Sequence, residues 1–229
     1  WNPVRGCTKI TPGCTNCYAE AFAERFRGVK GHPYEQGFDL RLVPEKLEDP
    51  IKWKKSRRIF VNSMSDLFHD KIPDEYIGRV FDVMKHAHWH TFQVLTKRPK
   101  RMRKLLRTSF KSINEIKNIW WGVSIENRKH GLPRINILKD TPVSTRFLVM
   151  EPLLEDLGTL NLDGIDWIII GAESGHHARP LNLDWARSIR DQAIAAKVPL
   201  YFKQHVIGHR KISLPLLDGK RWTQYPKRK

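Results

Sequence analysis

Six short apolar runs, each ending in a polar cluster, set the strongest limit on what this chain can fold into. They are Arg58–Ser63, Thr91–Thr96, Ile119–Ser124, Thr145–Met150, Trp167–Gly171 and Leu200–Lys203. Short, largely apolar runs of this kind are the signature of strands covered on both faces of a parallel sheet. Amphipathic segments fill the gaps. Asp74–His88 follows Pro73, a helix-start signal, and spaces Tyr76, Ile77, Val80, Phe81 and Met84 for one helical face. Lys100–Thr108 carries Met102, Leu105 and Leu106, and Asp184–Ala196 opens on an Asp cap and carries Trp185, Ile189 and Ile194. The alternation predicts an α/β fold with right-handed crossovers, closed or partly closed into a barrel. A complete eightfold barrel takes about 250 residues. At 229 residues a partial barrel fits better, as one domain spanning 1–229 with a basic C-terminal extension over 206–229.

The polar clusters that end these runs are as informative as the runs. They are Asn62-Ser63-Met64-Ser65-Asp66, Thr96-Lys97-Arg98, Ser124-Ile125-Glu126-Asn127, Glu151-Pro152, Gly171-Ala172-Glu173-Ser174-Gly175 and Lys203-Gln204-His205. In parallel α/β folds the carboxyl ends of the strands form one face, and the active site lies there. Six such clusters in register predict one large polar pocket.

The only three cysteines, Cys7, Cys14 and Cys17, all lie in the first seventeen residues. An odd, tightly spaced set is no disulfide framework and points to a metal or cluster in a reducing, cytoplasmic compartment. The spacing is C-x6-C-x2-C, followed by a helix-like run from Tyr18 to Phe26, so that 1–30 reads as a cluster-binding loop and first helix. Three thiolates can hold three irons of a [4Fe–4S] cube and leave the fourth iron open. Gly6, Pro12 and Gly13 let the loop wrap a bulky group. A structural zinc would need a fourth ligand, from His32 or a more distant histidine. Three unligated core cysteines, and a thioredoxin-like reading of Cys14-Thr15-Asn16-Cys17, are the other readings, the last weakened because no strand clearly precedes it.

Charge adds a partner class. Forty-one Lys and Arg against 24 Asp and Glu give a net charge of +17, a field that attracts polyanions, phosphate backbones above all. Clusters stand at Lys52–Arg58, Lys97–Arg107 and Lys227–Lys229. No apolar run reaches the roughly 18–20 residues of a membrane span, so no membrane partner is expected. The chain starts at Trp1 without a methionine, which reads as trimming. His86, His88 and His90 alternate around Trp89 and read as a helix end, while Trp120 and Trp121 read as core.

The combination of WNPV-x-GC, PGC-x-NCYAE, FVNSMSDLFH and IIIGAESG resembles a phage and bacterial three-cysteine branch of the radical S-adenosylmethionine (SAM) superfamily. That branch is distantly similar to spore photoproduct lyase. The resemblance runs from Trp1 to the terminal LLDGKRWTQYP. It implies a partial (β/α)6 TIM-like barrel with the cluster in the loop after the first strand. It also implies SAM chelated to the open iron by its amino and carboxylate groups, and one-electron cleavage to a 5′-deoxyadenosyl radical that abstracts a substrate hydrogen. A reducing electron donor follows as a partner. The commonest superfamily spacing is C-x3-C-x2-C; here the first gap is three residues longer, and Ser63-Met64-Ser65-Asp66 stands where a glycine-rich SAM-gripping motif is usual.

On this reading Cys7, Cys14 and Cys17 ligate the cluster, and Ser63, Ser65 and Asp66 take the aminoacyl end of SAM. Ser124 and Glu126 suit ribose hydroxyls, and Gly171, Glu173 and Ser174 belong to a cradle for adenine or ribose. Lys97 and Glu151 are the catalytic candidates beside the cysteines, since a carboxylate directly after an apolar run is costly unless paired. Arg98, Arg179, Lys203, Gln204 and His205 are candidates for a substrate phosphate or base. The function expected is a radical SAM-like enzyme acting on a nucleic acid or nucleotide, in DNA repair or modification. The alternatives are a non-catalytic nucleic-acid-binding protein with a structural zinc or redox Fe–S site, and a radical SAM enzyme acting on a protein partner.

Overall fold

The computed structural model describes residues 1–175, 177–208 and 210–227. Its centre is a seven-stranded sheet in the order β3 (Arg58–Val61), β4 (Thr91–Thr96), β5 (Ile119–Ser124), β6 (Arg146–Met150), β7 (Trp167–Gly171), β8 (Leu200–Ile207) and β9 (Arg210–Ser213). The six from β3 to β8 are parallel, and β9 returns antiparallel on β8. The sheet curls into a half-barrel, and the chain is an α/β protein. All six expected strands form, within a few residues of the expected ends. The largest difference is β8, which continues past Lys203 into the β9 hairpin, so the boundary expected at 206 falls inside a strand.

Period-two alternation sorts the strand side chains onto two faces. Ile59, Val61, Phe92, Val94, Trp121, Val123, Leu148, Met150, Ile168, Ile170 and Phe202 face outward into the main core. There they meet α3 (Asp74–His86), α4 (Pro99–Arg107), α5 (Arg128–Lys139) and α6 (Leu183–Ala195). Helix α3 turns Ile77, Val80, Phe81 and Met84 inward, and the Phe81 ring meets Trp121 edge-on with centroids 5.5 Å apart. Trp120, Phe147, Val149, Trp167 and Ile169 face the concave side and form a second cluster with Leu95, Tyr201 and Tyr225. Both tryptophans of the 120–121 pair are therefore buried, on opposite faces.

Helices occupy four of the five connections between the parallel strands. The β6–β7 connection has none; Leu153, Leu157, Leu160, Leu162 and Ile165 of an irregular segment are buried in the helix's place. Helix α5 was not legible in the sequence because Gly131 and Pro133 sit inside it. Asn127 caps it by accepting from the His130 amide at 2.8 Å. Gly131 is needed because a Cβ there would lie 2.8 Å from Ile125, so the helix presses directly on the chain after β5.

The first strand, β1 (Val4–Arg5), lies outside the large sheet and pairs antiparallel with β2 (Arg41–Leu42). The cysteine loop leaves β1 and runs beside the end of β3, through a parallel bridge of Gly6 with Ser65. The first helix, α1, is Tyr18–Glu24, and a single turn, α2 (Asp49–Lys52), precedes β3. At the other end, the basic C-terminal segment is docked. A short hairpin, β10 (Leu216–Leu217) and β11 (Lys220–Arg221), leads to Trp222, which is buried, and residues 222–224 hydrogen-bond to β8. Of the basic cluster at 227–229, Arg228 and Lys229 lie outside the described residues, as does His209 of the C-terminal extension. Among the described residues no helix is long and apolar enough to cross a membrane.

Candidate active site at the carboxyl ends of the strands

Cys7, Cys14 and Cys17 all line one cavity of about 490 Å³ at the carboxyl ends of the parallel strands, within the roughly 300–1,000 Å³ of small-molecule sites. All three are free thiols of intermediate exposure. Cys7 leaves β1, Cys14 ends a 3₁₀ turn (Pro12–Cys14), and Cys17 is the residue before α1. Among the described residues no three His, Cys, Asp or Glu side chains gather around a single-ion position. A zinc would draw its ligands in to about 2.0–2.3 Å, whereas a cube takes three thiolates on three separate irons.

Carboxylates at three strand ends, each paired with an arginine, hold the cysteine loop: two through the arginine and one by direct packing. After β3, Asp66 accepts from the Phe68 amide and the Thr96 hydroxyl on one oxygen, and from the Lys97 amide and Arg98 Nη1 on the other. Arg98 in turn donates to the Cys7 sulfur at 3.5 Å and to Thr8 O and Oγ1 at 3.1 Å. After β5, Glu126 pairs with Arg134 of α5, with side chains 1% and 6% exposed. Gly13 lies on the Glu126 side chain so closely that a Cβ would meet its Cγ at 2.9 Å. After β7, Glu173 accepts from the Asn16 amide and from Arg179, whose Nη2 also donates to Pro12 O. His69 Nε2 lies 2.9 Å from Thr8 Oγ1, and Tyr18 donates to Ser63 O at 2.8 Å.

The electrostatics follow from this pairing. Burial raises the Cys7 thiol above its ordinary value, and Asp66 adds to the rise, while Arg98 works against it. Burial alone would raise the carboxyls of Glu126 and Glu173, but Arg134 and Arg179 override it and hold both below the usual range. Burial lowers His69 and pushes Tyr18 up to about 12.

The remaining residues singled out in the sequence divide in two. Lys97, Ser124, Glu151, Ser174, Ser63, Ser65, Asp66 and Glu173 line the cavity with the cysteines. Glu126 and Gly171 do not; Glu126 lies beneath Gly13, and Gly171 packs 3.2 Å (as a virtual Cβ) from the Glu151 side chain. Several lining groups are already engaged. Ser63 Oγ donates to Asn2 Oδ1, Ser65 Oγ donates to Val4 O, and all of Asp66's bonds stay within the protein. Glu151 accepts from Lys203 at 2.8 Å and from Gln204 at 2.9 Å. A register shift between Ile170 and Gly171 pairs Gly171 with Gln204 and lets these consecutive residues reach the same carboxylate. Lys97 Nζ makes no ion pair among the described residues. His205 has a buried Nδ1 without a partner. His86 Nδ1 bonds Asp82 O and His88 Nδ1 bonds His86 O at the end of α3, while His90 bridges the Arg57 amide and Pro50 O and so ties down the segment that leads into β3.

Sequence reasoning gave no individual site role to Asn16, Arg134 and the concave-face aromatics, and named Asn62 only as part of a polar cluster. Asn16 stands inside the quoted cysteine motif. Asn62 directly follows β3 with φ +59°, 3% exposed, and its Oδ1 accepts from the Val4 amide, which fixes where the cysteine segment leaves the sheet edge. Arg134 gave no signal, because its partner is set by helix packing. The lower wall of the cavity, from Phe60 and Leu95 to Trp167, Tyr201 and Tyr225, is aromatic and aliphatic.

A family model described as "Protein of unknown function (DUF5131)" matches residues 1–226, and the chain belongs to that family. No curated protein and no solved structure gives a match.

Proposed function

We propose that this DUF5131 member is a radical SAM-like enzyme, with Cys7, Cys14 and Cys17 holding a [4Fe–4S] cluster and the cavity before them taking SAM and part of a nucleic acid or nucleotide. The observation that carries the reading is that three thiols from an eleven-residue stretch face one cavity at the carboxyl ends of six parallel strands. The donor set fits such a cluster: three free thiols, with a guanidinium beside one sulfur to offset thiolate charge. The (β/α)6 architecture belongs to the same proposal, supported by six parallel strands with helices on four of five connections. When bound, the pair supplies one-electron cleavage of a sulfonium and abstraction of a substrate hydrogen, chemistry that belongs to the cofactor.

The chain's own residues position and shield. Asp66 and Glu173 through Arg98 and Arg179, and Glu126 by packing directly under Gly13, fix the loop that carries the thiols. With Ser63, Ser65 and Asp66 satisfied inside the protein, they shape the wall by backbone and packing. Glu151, Lys97, Ser124 and Ser174 are the cavity groups for an ammonium, a carboxylate and ribose hydroxyls. Aromatic surface below excludes water from the reacting centre. A reducing electron donor is required as a partner.

Anaerobic reconstitution tests this. The expected result is a brown protein absorbing near about 400 nm with about four irons per chain, forming 5′-deoxyadenosine from SAM under dithionite. Replacement of any one cysteine by alanine should abolish that product. A colourless protein with one zinc would overturn the cluster, and a stable cluster that never cleaves SAM would leave a redox or structural protein instead.

A further inference from the structure

The two internal basic clusters of the sequence look alike, and folding makes them different. In Lys97–Arg107, Arg98, Arg101, Arg103 and Arg107 are each neutralised, by Asp66, Asp74 and Asp140. The segment 52–58 (KWKKSRR) contains no acidic residue, and neither does 220–227 (KRWTQYPK). Their cations, Lys52, Lys54, Lys55, Arg57, Arg58, Lys220, Arg221 and Lys227, are all exposed. None of them forms an ion pair among the described residues, although many of the other arginines do.

These two segments meet at the amino-terminal ends of β3, β4 and β5, at the opposite end of the sheet from the cysteines. Arg58 lies 3.7 Å over the Tyr225 ring, and the Tyr225 ring in turn packs on Trp167 and Tyr201. Between them opens a second hollow of about 320 Å³, lined chiefly by Ser56, Arg57, Arg58, Thr91, Trp120 and Tyr225. Two guanidinium groups, three hydroxyls (one of them the Tyr225 phenol) and two aromatic rings thus share one recess. Arg57 also lies 4.9 Å over the half-buried Trp53, and Lys220 lies 4.4 Å over the buried Trp222, so other cations of the two segments are likewise laid on aromatic rings.

We propose that this end of the half-barrel is a binding site for single-stranded nucleic acid, with phosphates on Arg57 and the adjoining lysines and a base in the recess beside Tyr225. A cationic track without ion pairs, with guanidinium groups laid on the half-buried rings of Trp53 and Tyr225, meets both needs of a single strand: charge for the backbone, and flat guanidinium and ring surface against which bases stack. A duplex keeps its bases stacked on each other and gains only the charge. Arg58 and Tyr225 also line the cavity that holds the cysteines, so a strand in the recess adjoins that cavity. The proposal rests on the nucleic-acid half of the function proposed above and is independent of the cluster.

The test is fluorescence anisotropy of a labelled 20-nucleotide oligothymidylate with the protein as isolated, over a range of salt. Affinity should fall with salt by about 0.7 log units per log unit for each phosphate neutralised. Lys55→Glu with Arg57→Glu should weaken binding at least about tenfold and flatten that slope by about 1.4, the share of two phosphate contacts. The same reversal at Lys100 and Lys104, exposed on α4, should change it less than about twofold, since about 8 Å of physiological salt screens one patch from the other. An abasic strand of equal length should bind about tenfold more weakly, which reads stacking without altering the protein. Unchanged affinity in the Lys55/Arg57 variant, equal binding of the abasic strand, or equal competition by polyglutamate would each overturn the proposal. The Lys55/Arg57 variant should still cleave SAM, so failure of the cluster and failure of this site are separately visible.

Discussion

The Arg98 guanidinium stands 3.5 Å from the sulfur of Cys7, and the same nitrogen lies 3.3 Å from Asp66. One cation is thus shared by a thiol and a carboxylate, and the carboxylate and the cation pull the thiol in opposite directions. Burial and Asp66 raise the Cys7 thiol, and Arg98 opposes them. Arg98→Met should raise its pKa further and slow alkylation at a fixed pH; Asp66→Asn should lower it and speed the reaction. Iodoacetamide rates against pH, in a background with Cys14 and Cys17 replaced by alanine, measure both. If both variants shift the rate in the same direction, packing and not charge sets the reactivity.

The Glu126–Arg134 pair is the most deeply buried of the three clamps. Removing one member of such a pair strands a charge and costs about 3–5 kcal/mol. Arg134→Met should therefore lower the melting temperature by about 6–20 °C at this chain length. Glu126→Gln added to it should recover part of the loss, because the stranded charge is then gone. Calorimetry of the single and double variants decides; a double variant less stable than the single would fail this account.

Glu173 supplies a pH dependence with a definite sign. Its native carboxyl is held below the ordinary 4.5, so its clamp contributes fully above that value and is lost as pH falls through the depressed native value. The Arg179 amide donates to Glu173 at 2.9 Å. Its hydrogen-exchange protection, and that of the Cys14–Cys17 loop, should hold at about pH 6 and fall away in the range below about 4. In Glu173→Gln that acid-dependent step should be missing.

Gly6 and Gly28 separate backbone strain from steric need. Their φ angles are +78° and +79°, but a Cβ on Gly6 would meet Asp39 O at 2.2 Å while one on Gly28 meets nothing within 4 Å. Gly28→Ala should cost only the left-handed strain, about 1–2 kcal/mol. Gly6→Ala should cost more and should also impair iron loading, since Cys7 follows directly. Equal melting temperatures for the two variants would remove the steric argument.

Much of the fold was legible because the signals were local. The runs from Arg58, Thr91, Ile119, Arg146, Trp167 and Leu200 are apolar on both faces, and that pattern fits a covered parallel strand at any position in a sheet. Helix α3 declared itself by Pro73 and the spacing of Ile77, Val80, Phe81 and Met84. Helix α5 did not, because Gly131 and Pro133 weaken its local propensity, and only close packing against Ile125 makes the glycine favourable. The β6–β7 connection gave no warning that it lacks a helix, since its buried leucines suit either course.

The candidate site shows the same division. By itself the sequence determined that three thiols stand close together near one end, that acidic and hydroxyl groups follow the strands, and that the charge is strongly positive. These are properties of composition and short spacing. Only the tertiary structure decided that Asp66, Glu126 and Glu173 face arginines and hold the loop, leaving Glu151 and Lys97 on the cavity. It also decided that the arginines of the 97–107 cluster are neutralised while those of the 52–58 cluster, joined by Tyr225 from the far end of the chain, are not. The reason is physical: an ion pair depends on distance in space, and residues such as Arg58 and Tyr225 are brought together only when the curled sheet sets its first strand near the C-terminal segment docked on β8.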